Sequence, residues 1–490
     1  MGLVTASAAS AASAHGFGQR FDLPLPLWLW VTGAGSTIVL TFLLMAVFVK
    51  ERRSSIDYPR LDLLQFRPVQ WAADVRTVAT VRLLAVLLFA LTVCTGLIGN
   101  QDPYSNLIPT MVWVIWWVGV AFVCALIGDL WMLINPWRTL FAWAEAAYGA
   151  LTRGRALSLG LEYPTWLAAW PAVLVLLAFG WAELIWGDRN VPSRLALALA
   201  GYSLFTWLGM FAFGRTTWLV NAEAFSVAFG VLARFAPTEF VPPFQGEPRG
   251  RLNLRPSGAG LLAARPVSWS FMAFVILMLA TVTFDGFQET ALMQKIDTVA
   301  ESSHEVASLL FDLSELGLDE SRVTHTLTLV AFAVAFLAVF WVTNWISLRW
   351  GTGPGRQPSA IELSAGVTAC SFVLTLVPIA VAYHLSHYFS LLLTAGQFVI
   401  PLSSDPFGWG WNLFGTAGYK VNLAIVSPTV FWYSAVAIIL LGHVIAVYLA
   451  HGVALRLFGG QAFIREIPMV LLMVAYTMLS LWILAQPIVG

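Results

Sequence analysis

Pro266-Val-Ser-Trp-Ser-Phe-Met-Ala-Phe-Val-Ile-Leu-Met-Leu-Ala-Thr-Val-Thr-Phe-Asp285 carries no charge between Arg265 and Asp285. An apolar stretch of about 20 residues matches the hydrocarbon thickness of a bilayer, and a carboxylate at its end marks a boundary. Similar stretches recur along the chain. They are read at 27 to 49, 80 to 99, 109 to 130, 165 to 186, 194 to 214, 267 to 285, 323 to 348, 362 to 395, 428 to 450 and 468 to 487. The expected fold is an all-α integral membrane protein, a bundle of about ten transmembrane helices with interfacial amphipathic helices.

Composition supports lipid as the solvent. With 59% hydrophobic and 11% charged residues in 490, the chain has too little polar surface to cover a soluble globule. The 26 basic and 26 acidic side chains cancel, so nothing points to nucleic acid. Cys94, Cys124 and Cys370 each fall inside an apolar run and read as small buried hydrophobes.

Basic residues orient the bundle. When the first connection is taken as cytoplasmic, 20 of the 26 Lys and Arg residues fall in every second connection, leaving Arg20, Arg189, Arg194, Lys295, Arg322 and Lys420 on the other face. Both termini are then expected outside. The division that follows is an extracytoplasmic tail (1–26), a first five-helix half (27–236), a Pro-, Gly- and Arg-rich cytoplasmic linker (237–266) and a second five-helix half (267–490). The second half includes an acidic outer segment, 286–322, whose apolar spacing suits a capping helix. Ala147 to Arg153 and Ala228 to Arg234 share the pattern A-aromatic-G-x-L-x-R, a faint internal repeat at the ends of amphipathic stretches. The tail, ending in Ala-Ser-Ala, resembles the last part of a signal peptide; cleavage after Ala14 would expose His15 as an N-terminal chelator, and a plain leading tail fits as well.

An ionisable side chain in hydrocarbon costs at least ~2.5 kcal/mol, so each needs a partner or a purpose. His384 and His387 in Tyr-His-Leu-Ser-His-Tyr lie three apart, on one helix face. Asp285, His325 and Glu183 fall at a similar depth near the outer ends of three other spans. His384, His387 and Asp285 together supply N and O ligands for a divalent transition metal such as zinc, with His325 or Glu183 as proton acceptor. The alternative is a set of interfacial histidines bonded to backbone or to Tyr383 and Tyr388, in an aromatic belt with Trp409 and Trp411. His443 and His451 are separated by about 12 Å of helix and cannot share an ion. His384 and His387 are too close together for haem ligation. Asp129 and Glu223 read as structural, capping helices or pairing with Arg138 and Arg215. No phosphate loop, CxxC, G-x-S-x-G or HExxH pattern occurs.

Ala14-His-Gly-Phe-Gly-Gln-Arg-Phe-Asp-Leu-Pro-Leu-Pro-Leu27, Thr283-Phe-Asp-Gly-Phe287, Tyr383-His-Leu-Ser-His-Tyr388 and Gly442-His-Val-Ile-Ala-Val-Tyr-Leu-Ala-His451 resemble the bacterial multi-pass membrane proteins known as fenitrothion hydrolases. The likeness runs over nearly the whole chain. It implies hydrolysis of an organophosphorus triester; such a small apolar substrate would partition into the bilayer and reach an outward-facing site sideways, in what is expected to be a bacterial inner membrane. It implies no particular catalytic residues. A transporter or ion-handling protein using the same histidines as a transit site is the alternative, and assembly as a homo- or hetero-oligomer stays open.

Overall fold

The computed structural model describes residues 25–49, 58–243, 249–262, 265–303, 319–350 and 364–489, so the tail with His15 lies outside the described residues. In chain order the helices are α1 (Leu27–Phe48), α2 (Val75–Ile98), α3 (Leu107–Leu126), α4 (Pro136–Leu151), α5 (Trp170–Leu184), α6 (Pro192–Phe213), α7 (Arg215–Asn221) and α8 (Ala224–Phe235). They continue with α9 (Trp269–Gln288), α10 (Ala291–Ser302), α11 (Glu320–Arg349), α12 (Ala365–Ser404), α13 (Pro428–Phe458) and α14 (Ala462–Val489). Among the described residues, 8 helical stretches are long and apolar enough to cross a bilayer, with Pro428–Gln486 taken as one. The chain is a multi-pass helical membrane protein.

Pro428–Gln486 is two helices. The chain reverses at Gly459, where φ is +55°, a conformation that glycine adopts without a Cβ penalty, and α13 packs back against α14. Two departures from the sequence reading concern length. The stretch expected to span at 165 to 186 forms only the 15-residue α5, about 22 Å long by helical rise, short of the ~30 Å hydrocarbon core. The segment after Arg215, read as cytoplasmic and amphipathic, folds as α7 and α8, bent by 64° and together apolar enough for one broken span or a re-entrant loop.

The reason for the bend is Glu223. It caps α8, its two oxygens accepting from Phe225 N (3.1 Å) and Ser226 N (2.7 Å), while the Tyr202 hydroxyl donates to it. Phe225, Phe229 and Leu232 are buried, so α8 is an interior helix. Its near-repeat in α4 lies along a helix with several exposed residues, and Arg153 beyond it has φ +57°. The two copies therefore stand in different surroundings. Arg215 pairs not with Glu223 but with Glu145, at 3.4 Å, and Asp129 caps the turn at Met132 N (2.9 Å). Cys94 lies on an exposed face of α2, whereas Cys124 and Cys370 are buried.

The expected linker has structure as well. Arg251–Leu254 alternates polar and apolar residues and pairs antiparallel with Thr238–Val241, and Leu61–Asp62 adds on the other side of Arg251–Leu254, giving a three-stranded sheet. Glu239 ties it together, accepting from Arg60 Nε (2.7 Å), Arg255 Nη1 (2.5 Å) and Tyr58 OH (3.1 Å). Of the acidic segment, α10 forms behind its Thr290 cap; Glu305, Asp312 and Glu315 lie outside the described residues.

α12 is the inner helix of the bundle, packing on α13, α9, α8 and the middle of α3. Pro378 lacks an amide hydrogen and clashes with a regular preceding turn, and the chain tightens into a 3₁₀ segment at Val373–Leu376. The following turns are buried, including Tyr383, His384, Ser386, His387 and Tyr388. Gly442 brings α13 close: a Cβ there would lie 2.3 Å from Ala382 Cβ and 2.7 Å from the Pro378 carbonyl.

Candidate functional site

Three helices bring carboxylate, imidazole and phenol together. Asp285, three residues before the end of α9, stands with Oδ2 at 2.9 Å from His387 Nε2 on α12 and accepts from the Tyr388 hydroxyl at 2.7 Å. The same hydroxyl lies 3.5 Å from Glu183 Oε1, at the end of α5. Tyr388 is thus the hub between two carboxyl groups, and its ring stands edge-on to both His387 (4.7 Å between centroids) and His384 (4.8 Å). The His387 and Asp285 side chains are 6% and 16% exposed, so their attraction acts with little screening by water.

The backbone around the site explains the fit. Gly286 follows Asp285, and a Cβ on it would lie 2.6 Å from Ile483 Cγ2, 3.0 Å from Tyr383 OH and 3.5 Å from His387 Cε1. The missing side chain lets α9 pack close to Ile483 of α14 and to Tyr383 of α12. Tyr383 in turn stacks on His387, with ring centroids 5.9 Å apart and planes 10° apart. On the α5 side, Arg189 Nη1 donates to the Glu183 backbone carbonyl at 2.6 Å, and Trp113 Nε1 donates to the Arg189 carbonyl at 3.0 Å, which fixes the turn after α5.

Of the residues singled out by type and depth, Asp285, His387 and Glu183 gather here and two do not. His384 points toward Trp117 and Phe122, at ring distances of 6.0 and 5.7 Å, and its Nε2 has no hydrogen-bond partner among the described residues. His325 on α11 faces Asp297 of α10 at 3.5 Å, a clamp between the outer helix and its neighbour. Among the described residues no three His, Cys, Asp or Glu side chains come together closely enough to hold a metal ion. His387 and Asp285 offer two donors, and the three-ligand set expected of His384, His387 and Asp285 is not gathered in this arrangement. Tyr388, which reading by ionisable type passed over as a neutral bonding partner, holds the centre.

His443 and His451 are separate features. His443 Nδ1 lies 2.9 Å from the Ile439 carbonyl. His451 bridges the base of the α13–α14 hairpin to the end of α1, with Nδ1 at 2.7 Å from Glu466 Oε2 and Nε2 at 3.1 Å from the Val49 carbonyl. No protein-family model, curated protein or solved structure matches the chain.

Proposed function

We propose that the Asp285–His387–Tyr388–Glu183 cluster is the centre of a membrane-embedded hydrolase that cleaves apolar organophosphorus triesters of the fenitrothion type, facing outward in a bacterial inner membrane. The observation that carries it is the hydrogen-bonded Asp285–His387 pair with a second carboxylate one hydroxyl away. The likeness in sequence to the fenitrothion hydrolases supplies the substrate class.

The chemistry suits these groups. Glu183 takes the proton of an attacking water as the new P–O bond forms and the P–O bond to the aryl group breaks, the bonding pair leaving on a nitrophenolate that needs no proton. His387, its Nε2 held on Asp285, is the group placed to stabilise the negative charge that builds on the phosphoryl oxygen or thiophosphoryl sulfur. Tyr388 orients Asp285 and spaces it from Glu183. No step here passes through a metal.

Detergent-purified protein is expected to release nitrophenolate from fenitrothion, measured by absorbance. Glu183→Gln and Asp285→Asn are expected to lower the rate by about 10²- to 10⁴-fold, the usual contribution of a positioned acid or base. Release no faster than from a mock preparation overturns the reading. The second reading, a transporter, draws on buried polar rings that continue from His387 through Tyr383 and Tyr476 to His443. It expects uptake into proteoliposomes without turnover.

A further inference from the structure

Beneath the Asp285–His387 pair, four helices turn polar groups toward one buried place. Tyr383 comes from α12, Thr283 from α9, Tyr476 and Ser480 from α14 and His443 from α13. All five are buried, at 8% exposure or less. The rings follow one another, with centroids 5.9 Å apart from His387 to Tyr383, 6.3 Å from Tyr383 to Tyr476 and 6.1 Å from Tyr476 to His443. Ser480 lies one helical turn beyond Tyr476, on the same face.

Their hydrogen bonds do not close among themselves. Thr283 Oγ1 donates its one hydrogen to the Leu279 carbonyl (2.7 Å) and so accepts from Tyr476 OH (2.5 Å). The Ile439 carbonyl accepts from His443 Nδ1, which leaves the Nε2 of a neutral imidazole as an acceptor. Tyr383 OH and His443 Nε2 have no hydrogen-bond partner among the described residues, and Ser480 Oγ faces the Tyr476 hydroxyl without a hydrogen bond of ordinary geometry. Two are hydroxyls with a hydrogen to give and one is a lone pair needing a hydrogen. A buried polar group left unpaired costs about 1 to 3 kcal/mol, and the group that can both accept from a hydroxyl and donate to an imidazole is water. Native interiors satisfy such sets with ordered water bound by about three polar partners.

We propose that Tyr383, Thr283, Tyr476, Ser480 and His443 line an internal water site, and that the hydroxyls, water and imidazole form a route by which protons pass between the Asp285–His387 pair and His443. Each hydroxyl or water takes a proton on one side and releases one on the other, so no oxidant, reductant or further reactant enters. Gly286 joins the two features, lying beside Asp285 in the chain and against the Tyr383 hydroxyl in space. Such a route serves the Asp285–His387 pair equally in hydrolysis and in transport.

Radiolytic hydroxyl-radical labelling of the purified full chain tests it, since bound water yields radicals beside side chains that bulk solvent does not reach. After correction for intrinsic reactivity, Tyr383, Tyr476 and His443 are expected to be oxidised several-fold faster than Phe274 and Phe284, which are 0% exposed. Ser480→Val, which removes a water partner and puts an apolar branch in its place, is expected to return Tyr476 and His443 to the level of those phenylalanines, with thermal unfolding reporting that the fold is kept. Equal protection of all five rings in the wild type means a dry interior and overturns the proposal. Fast labelling that Ser480→Val leaves unchanged places the water elsewhere and overturns the assignment. A Ser480→Val chain that does not fold is replaced by Ser480→Ala, read in the same way.

Discussion

His387 Nε2 and Asp285 Oδ2 meet at 2.9 Å across 102 residues of chain, inside a bundle where an unpartnered charge is costly. Tyr388 holds the other side of the same oxygen at 2.7 Å. Hydrogen bonds to a charged group are worth about 1.5 to 3 kcal/mol. Tyr388→Phe keeps the ring packing and removes that bond, so nitrophenolate release is expected to fall by about 10- to 100-fold, the same energy expressed as a rate. A rate equal to the wild type removes Tyr388 from the site.

Gly286 lies where α9 packs against both α14 and α12. An alanine Cβ would meet Ile483 Cγ2 at 2.6 Å and Tyr383 OH at 3.0 Å, and overpacking of this kind costs about 1 to 3 kcal/mol. Gly286→Ala is expected to lower the unfolding temperature and to separate Asp285 from His387. Gly230, in the middle of α8 with nothing within 4 Å of the place a Cβ would take, is the control: Gly230→Ala is expected to be neutral or to stabilise by up to about 1 kcal/mol. The unfolding temperatures of the two variants in one detergent decide the matter.

Helix positions and the polar residues worth attention were legible because lipid makes length and charge informative. Asp285 at the end of an uncharged run, and His384 and His387 one turn apart, needed no coordinates. What could not be read was azimuth. Three residues of helix advance a side chain by about 300°, so His384 and His387 share a broad face yet one meets Asp285 and the other Trp117 and Phe122. Glu223 was legible as a cap, but the burial of the helix it caps was hidden for another reason. An apolar run from Arg215 to Phe235 interrupted by one carboxylate reads as an interfacial helix, and only packing reveals that the carboxylate caps a buried one. The sheet escaped because its strands are four residues or fewer and its middle partner comes after a long connection.

His384 separates two accounts of the site. With His387 and Asp285 acting as a pair, His384→Leu leaves nitrophenolate release within about tenfold of the wild type, a difference of ~1.4 kcal/mol, while His387→Leu abolishes it. If three ligands gather round an ion in the native membrane, His384→Leu strips a stoichiometric transition metal and activity together. Elemental analysis of both variants beside the wild type reads the difference.

The sheet at Glu239 is expected to loosen in acid. Burial works against its charge, but the hydrogen bond from Arg60 and the charge of Arg255 prevail and hold its carboxyl below the usual carboxylate range. A carboxyl whose value is lower in the folded chain contributes stability that is present above its unfolded value, near ~4.3, and is lost as pH falls through the folded value. Backbone amide exchange in Thr238–Val241 and Arg251–Leu254 is therefore expected to be slow at neutral pH and to accelerate below about pH 4, relative to its intrinsic rate. Glu239→Gln is expected to cost about 1 to 3 kcal/mol of local protection at neutral pH, because Arg255, with its side chain 7% exposed, loses a charged partner. It also flattens the acid response. A variant whose protection still falls with pH as the wild type does would assign the acid response to another group.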